Sequence, residues 1–221
     1  MMRGRFDLGV YLVTDPTLCA ARGLEQTVLA AVRGGVTLVQ LRDKAASDAQ
    51  LIAVGRRLRA ALTGSGVPLI VNDRLEVAVA IGADGLHLGQ ADGALAAARK
   101  RLGEAAILGL SVQTMTQARG VDSALVDYVG VGPVYATVTK PDHAAPLGFD
   151  GLARVCTASP VPAVAIGGLA LGHVADVLAA GAAGLALVSA ICAAADPTAA
   201  ARAFAEALQA AREAGAEPGP A

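Results

Sequence analysis

Residues 71–92 read VNDRLEVAVAIGADGLHLGQAD, and this stretch contains one full turn of the chain's repeating organisation. An apolar run, PLIVND at 68–73, ends in Asp73; RLEVAVAI at 74–81 has helix-forming composition; a glycine follows; and GLHLG at 85–89 is a second apolar run that leads to Asp92. Glycine just past a helix suits a left-handed cap, because it has no Cβ to clash. The same helix–glycine–strand junction returns in RGGVTLVQ (33–40) and AGAAGLALVS (180–189).

Working outward, eight apolar runs read as strands, at 9–15, 37–43, 68–73, 85–89, 107–112, 128–134, 162–168 and 184–190. Their continuous apolar character suits parallel strands covered on both faces. Helix-forming stretches fall between them at 24–33, 48–62, 74–81, 94–102, 170–180 and 197–213. Eight β–α units in 221 residues predict an α/β fold, a single-domain (β/α)8 TIM barrel over 9–213. Residues 1–8 read as an N-terminal tail, and 214–221, AGAEPGPA, as a C-terminal tail expected to be disordered. A doubly wound open sheet is the alternative, but no GxGxxG follows the first strand to favour it.

Composition narrows the function classes. With 54% hydrophobic and 3% aromatic residues the core must be aliphatic, and a net charge of −1 supplies no basic surface for nucleic acid. Glycine, aspartate or arginine interrupts every apolar run before the ~18 residues of a membrane span, and the N-terminus does not read as a signal peptide. Cys19, Cys156 and Cys192 are far apart and form no CxxC, so each reads as a small buried apolar residue in a reduced, cytoplasmic setting. The sequence is compatible with a homo-oligomer.

In a barrel of this kind the active site lies where the strands end. Gln40, Leu41, Arg42, Asp43 and Lys44 close the second strand; Asn72 and Asp73 the third; His87, Gln90 and Asp92 follow the fourth; Ser111 and Gln113 the fifth. The sixth runs into Thr137, Val138, Thr139 and Lys140, the seventh into Gly167 and Gly168, the eighth into Val188 and Ser189. Two bare carboxylates ~4 Å apart repel by about 4 kcal/mol at an effective dielectric of ~20. A hard divalent cation removes that conflict, and an incomplete set of carboxylate ligands suits Mg2+ shared with substrate phosphates. The other reading of Asp73 and Asp92 is that each caps the helix that follows it. Arg42, Lys44 and Lys140 fall on the same face, and cations together with magnesium suit a diphosphate that must be bound and then released. Gly167, Gly168, Val188 and Ser189 suggest a second anion site of backbone N–H groups at the last two strands.

These segments resemble a known family. VQLRDK, VNDRLEVAVAIGADGLHLGQAD, YVGVGPVYATVTK, AIGG and LVSAI are similar, in order and spacing, to thiamine phosphate synthase over about residues 11–204. The resemblance implies a (β/α)8 barrel that joins a pyrimidine diphosphate to a thiazole phosphate and releases pyrophosphate. It implies that Gln40 to Lys44, with Asn72 and Ser111, line the pyrimidine diphosphate, that Asp73 and Asp92 hold Mg2+, and that Lys140 reaches the diphosphate from the opposite loop. Thr137, Val138, Thr139, Gly168, Val188 and Ser189 are then expected at the thiazole phosphate. Catalysis is expected from Arg42, Lys44, Ser111 and Lys140, by departure of pyrophosphate before the thiazole nitrogen attacks. Two positions depart from the family pattern: Ala136 stands where proline is common, and Gln113 where many members have histidine. Neither removes a residue of the set above. A thiazole-isomerising sibling of the same fold and a non-catalytic precursor-binding barrel are the rival readings, and neither needs the diphosphate residues.

Overall fold

The computed structural model describes residues 6–91, 95–137 and 145–216. Its centre is a closed parallel barrel in which each strand pairs with the next and the last with the first. The strands are β1 (Val10–Val13), β2 (Leu38–Leu41), β3 (Leu69–Asn72), β4 (Gly85–Leu88), β5 (Ile107–Val112), β6 (Tyr128–Val131), β7 (Ala163–Ile166) and β8 (Gly184–Leu187). All eight expected strands are present; the fifth has the expected bounds, and the other seven are shorter because residues at their ends turn into loops. The helices are α1 (Leu24–Arg33), α2 (Asp48–Ala61), α3 (Leu75–Ile81), α4 (Leu95–Leu102), α5 (Met115–Arg119), α6 (Gly148–Ala158), α7 (Val174–Ala179), α8 (Ser189–Cys192) and α9 (Pro197–Ala216). A 3-10 turn, Leu171–His173, leads into α7.

Three of these helices were not expected from the sequence. Helix α5 is one short turn, held by a capping box in which the Thr114 hydroxyl accepts from the Gln117 N–H. Helix α6 begins with glycine and lacks a side-chain cap, and α8 takes over from β8 at Ser189, where the apolar run had read as continued strand. Helix α9 extends to Ala216, past the expected edge at 213, and residues 217–221 lie outside the described chain. At the other end, Leu8 is buried and Phe6 meets Tyr128 edge to face at 5.7 Å, so residues 6–8 pack into the lower barrel mouth.

Successive side chains along a strand point to opposite faces, and this alternation separates two cores. Val10, Leu12, Val39, Leu41, Leu69, Val71, Leu108 and Leu185 face outward into one large aliphatic layer shared with the helices. Tyr11, Val13, Leu38, Ile70, Ile107, Tyr128, Val164 and Ala186 form a second, smaller cluster inside the barrel. The interior is narrow, and glycine marks where another chain segment passes: a Cβ on Gly184 would stand 2.2 Å from the Leu8 carbonyl oxygen. No described helix is long and apolar enough to cross a membrane.

Below β5 and β6 one buried ion pair ties the outer layer to the sheet. Arg99 on α4 meets Asp127 at 2.7 Å, with both side chains over 90% buried (4% and 7% exposed). The guanidinium also donates to the carbonyls of Leu125 and Ala106, and Asp127 accepts from the Leu108 N–H. Every charge-bearing atom is thus matched, the condition under which a buried pair survives its desolvation cost. Arg101 and Glu76 meet at a similar 2.8 Å, but with side chains 50% and 66% exposed. The two pairs give a direct comparison: Arg99→Ala is expected to lower unfolding free energy by about 3–5 kcal/mol, and Arg101→Ala by less than about 1 kcal/mol, measured by urea denaturation followed by circular dichroism.

Candidate active site

At the C-terminal ends of the strands the barrel opens into a cavity of about 640 Å³. Its walls include Gln40, Arg42, Lys44, Asn72, Asp73 and Ser111 on the arc from β2 to β5, and Thr137, Gly168, Val188 and Ser189 on the arc from β6 to β8. A larger hollow, about 860 Å³, lies between α1 and α2 on the outer wall. It gathers no comparable set of strand-end polar groups, and the barrel-top cavity is therefore the candidate site.

Alternation decides which of the expected residues arrive. Gln40 points inward, so Leu41 points outward, where it is buried in the aliphatic layer; Asp43 accepts hydrogen bonds from the backbone N–H groups of Ala45 and Ala46. Both line the outer hollow rather than the barrel-top cavity. Of the Gln40 to Lys44 run expected at one site, Gln40, Arg42 and Lys44 line the barrel-top cavity, and Leu41 and Asp43 do not. Arg42 is braced by β1, since the buried Thr14 hydroxyl accepts from the Arg42 N–H at 3.0 Å. Asp92, Val138, Thr139, Lys140 and His143 lie outside the described residues.

Asp73 does not cap α3. The N-cap position is Arg74, which makes no side-chain cap. Instead Asp73 has φ 61°, the one non-glycine residue with positive φ among those described. A left-handed L-residue costs about 1–2 kcal/mol, and such strain gathers where a side chain must be aimed. The conformation is pinned by a 2.9 Å backbone bond from the Asp73 N–H to the His87 carbonyl, and it presents the carboxylate to the cavity. There it meets the Lys44 ammonium at 3.8 Å, a long and half-exposed contact of small intrinsic worth. Among the described residues no three carboxylate, imidazole or thiolate side chains gather as a metal set. Asp73 is a hard oxygen donor beside cations at an open cavity, and that chemistry fits one ligand of a metal completed by further oxygens.

The opposite arc is shaped by backbone. Gly167 and Gly168 have φ 102° and 62°, a region glycine enters without cost. A Cβ on Gly168 would stand 2.7 Å from the Tyr135 Cβ and from the Ala136 carbonyl oxygen. The Tyr135 N–H donates to the Gly167 carbonyl at 3.0 Å, so the chain leaving β6 is sewn to the turn after β7. Tyr135, Phe149 and His173 pack on one another above this seam, which places His173 in an aromatic contact rather than in the cavity.

Beneath the cavity, Gln40, His87 and Ser111 join two residues that the strand-end rule does not reach, Tyr11 and Tyr128. Tyr11 and Tyr128 meet inside the barrel with hydroxyls 2.8 Å apart; Gln40 Nε2 donates to the Tyr11 hydroxyl at 2.6 Å; His87 bridges the Tyr128 hydroxyl and the Ser111 hydroxyl, at 2.9 Å each. Burial pushes both phenol pKa values up, so both stay protonated. Two glycines make the room: a Cβ on Gly109 would stand 2.2 Å from the Tyr128 ring and 2.5 Å from His87 Nδ1, and one on Gly130 would stand 3.2 Å from His87 Cε1. The mid-strand glycines in ILGLSV and YVGVGPV were the available signal, since glycine inside a strand marks a close approach.

Comparison with known proteins places the whole chain in one family. A family model described as thiamine monophosphate synthase matches residues 10–191. A thiamine-phosphate synthase of Xanthobacter autotrophicus is 55% identical over 207 residues, covering 94% of this chain and 98% of the relative. One from a Psychrobacter species is 50% identical over 193 residues, covering 86% and 90%. The solved thiamine phosphate pyrophosphorylase of Pyrococcus furiosus superposes with a TM-score of 0.83 at 30% identity, covering 92% of this chain and 96% of that one. A solved 3-hexulose-6-phosphate synthase, at 18% identity and a TM-score of 0.63 over 90% of this chain and 99% of that one, shares the barrel fold. Together with the strand-end motifs and the closed barrel, these relations establish that the chain belongs to the thiamine monophosphate synthase family.

Proposed function

We propose that this cavity joins a hydroxymethyl aminopyrimidine diphosphate to a thiazole carrying a phosphooxyethyl arm, yielding thiamine phosphate and pyrophosphate. The observation that carries the reading is the convergence of Arg42, Lys44 and Asp73 with Gln40, Asn72 and Ser111 on one arc, while the glycine turn and Val188–Ser189 face them from the other. One cavity thus offers a cationic end for a diphosphate and a backbone-lined end for a monophosphate.

The residues support a dissociative course. The Arg42 guanidinium offers paired donors to the departing diphosphate and the Lys44 ammonium a compact charge; Lys140 would add a third cation from the loop after Thr137. Charge neutralisation at the leaving group lets pyrophosphate go before the new bond forms, which leaves a methylene cation stabilised by the aminopyrimidine. The thiazole nitrogen, held by its phosphate near Gly168, Val188 and Ser189 and by the segment from Thr137 to Thr139, then captures that cation. Asp73 and Asp92 would hold Mg2+, whose charge would be shared with the diphosphate oxygens.

The reading is tested by mixing the protein with both substrates, in magnesium or in EDTA, and following thiamine phosphate by mass spectrometry. Product is expected only with magnesium, and the Asp73→Asn/Asp92→Asn variant should lose at least about 100-fold in rate. Folded protein that makes no product with magnesium would return both aspartates to structural roles and make thiazole isomerisation the next assay. Arg42→Lys keeps the charge but loses the paired donors; its kcat/KM for the pyrimidine diphosphate should fall about tenfold or more.

Backbone strain at Asp73 gives an independent check. Asp73→Gly should be more stable than Asp73→Ala by about 1 kcal/mol, because only glycine occupies φ 61° freely. Both variants should be equally inactive. A carboxylate kept for stability alone would instead leave the glycine variant with near-normal turnover.

A further inference from the structure

The hydrogen bonds beneath the cavity form one continuous chain: Gln40 to Tyr11, Tyr11 to Tyr128, Tyr128 to His87 Nδ1, and His87 Nε2 to Ser111. Its two ends, Gln40 and Ser111, both line the cavity, on β2 and β5. Proton counting gives the chain a direction. An amide nitrogen can only donate, so the Tyr11 oxygen accepts from Gln40 and must pass its own proton to Tyr128. Tyr128 then passes its proton to His87 Nδ1. A neutral imidazole that accepts at Nδ1 carries its hydrogen on Nε2 and donates it to the Ser111 oxygen. The Ser111 proton is left for the cavity, and so is the Oε1 of the Gln40 side-chain amide.

We propose that Tyr11 and Tyr128 are positioning residues for the reaction, and that through Gln40 and Ser111 they fix which cavity wall accepts and which donates a hydrogen bond. The opposite polarity needs the Gln40 amide turned over, and every proton along the chain would then reverse with it. A single hydroxyl cannot reverse alone without placing two donors face to face in a buried site, at the cost of an unmade bond. The relay therefore has two self-consistent states, and the Gln40 Nε2 contact with the Tyr11 hydroxyl selects the one with an acceptor on β2 and a donor on β5. An aminopyrimidine edge, with an amino donor beside a ring-nitrogen acceptor, is complementary to that state. The kinetic part of this inference rests on the pyrimidine reading above; the relay itself does not.

The chain contains three histidines, His87, His143 and His173, so the imidazole of His87 can be assigned in the full-length protein with His143→Gln and His173→Gln variants. Long-range 1H–15N correlation is expected to show His87 as the Nε2–H tautomer, with a pyridine-type Nδ1. Tyr128→Phe should move its ring 15N shifts toward a tautomer mixture. Tyr11→Phe, which keeps the ring and removes the hydroxyl that Gln40 holds, should raise KM for the pyrimidine diphosphate by about three- to tenfold while leaving KM for the thiazole phosphate within about twofold. An Nδ1–H tautomer in the unaltered protein, unchanged shifts in Tyr128→Phe, or equal effects of Tyr11→Phe on both KM values would overturn the proposal. Should Tyr128→Phe not fold, the tautomer of the unaltered protein and the Tyr11→Phe kinetics decide. The expected tautomer and shifts in a protein that makes no thiamine phosphate would uphold the relay and reject the synthase reading.

Discussion

The contact between Tyr11 and Tyr128 sits where the demands of packing and of polarity meet. An aliphatic chain with three tyrosines, three phenylalanines and no tryptophan has few groups able to span the centre of a barrel. Two of the tyrosines and Phe6 do it, with ring centroids 5.9 Å and 5.7 Å from Tyr128. Filling that space with phenols buries their hydroxyls, and a buried hydroxyl must be paired. The pairing runs upward, through His87 and Gln40, into residues that line the cavity. The floor of the site and the centre of the inner core are thus one object.

The division into inner and outer cores follows from the same geometry. Parallel strands covered by helices look outward onto a broad aliphatic layer, which carries most of the apolar burial, and inward onto a column only a few side chains wide. The outer layer accepts any well-shaped aliphatic residue, and it is filled with leucine, valine and alanine. The column is stricter. Gly85, Gly109, Gly130 and Gly184 stand on it because a methyl group there would meet a neighbour at 2.1 to 3.2 Å. Freed of side chains at those points, the column has space for an imidazole and a phenol near its top.

Much of this was legible beforehand, for identifiable reasons. Fully buried parallel strands are apolar on both faces, so their ends announce themselves as the first polar residues, and Gln40, Arg42, Lys44, Asn72, Asp73 and Ser111 were found that way. The same rule failed at Leu41 and Asp43 because it reads position along the strand and ignores which face each side chain takes. Asp73 kept two meanings in the sequence, since an aspartate before a helix is also a good cap; the observed N-cap at Arg74 and the left-handed backbone remove the cap reading, and no one-dimensional pattern encodes that backbone. Helices α5, α6 and α8 were missed for want of length or of a start signal. The relay was hidden most deeply. Its members are one per strand, and only the register that sets His87 beside Gly109, and Gly109 beside Tyr128, brings them together.

Closure of the barrel joins the two ends of the chain. β1 is flanked by β2 and by β8, and α9 packs along α1. During vectorial synthesis β1 leaves the ribosome before its second neighbour, β8, the last strand of the barrel, is made. One edge of β1, buried on both faces in the finished molecule, therefore waits unpaired until β8 emerges, and an open strand edge invites pairing with other chains. Nothing local can relieve that wait, because the missing partner lies far along the sequence. The stretch that supplies β8 and α9 thus decides when the molecule becomes safe from its own kind, as the two arrive together to seal the seam.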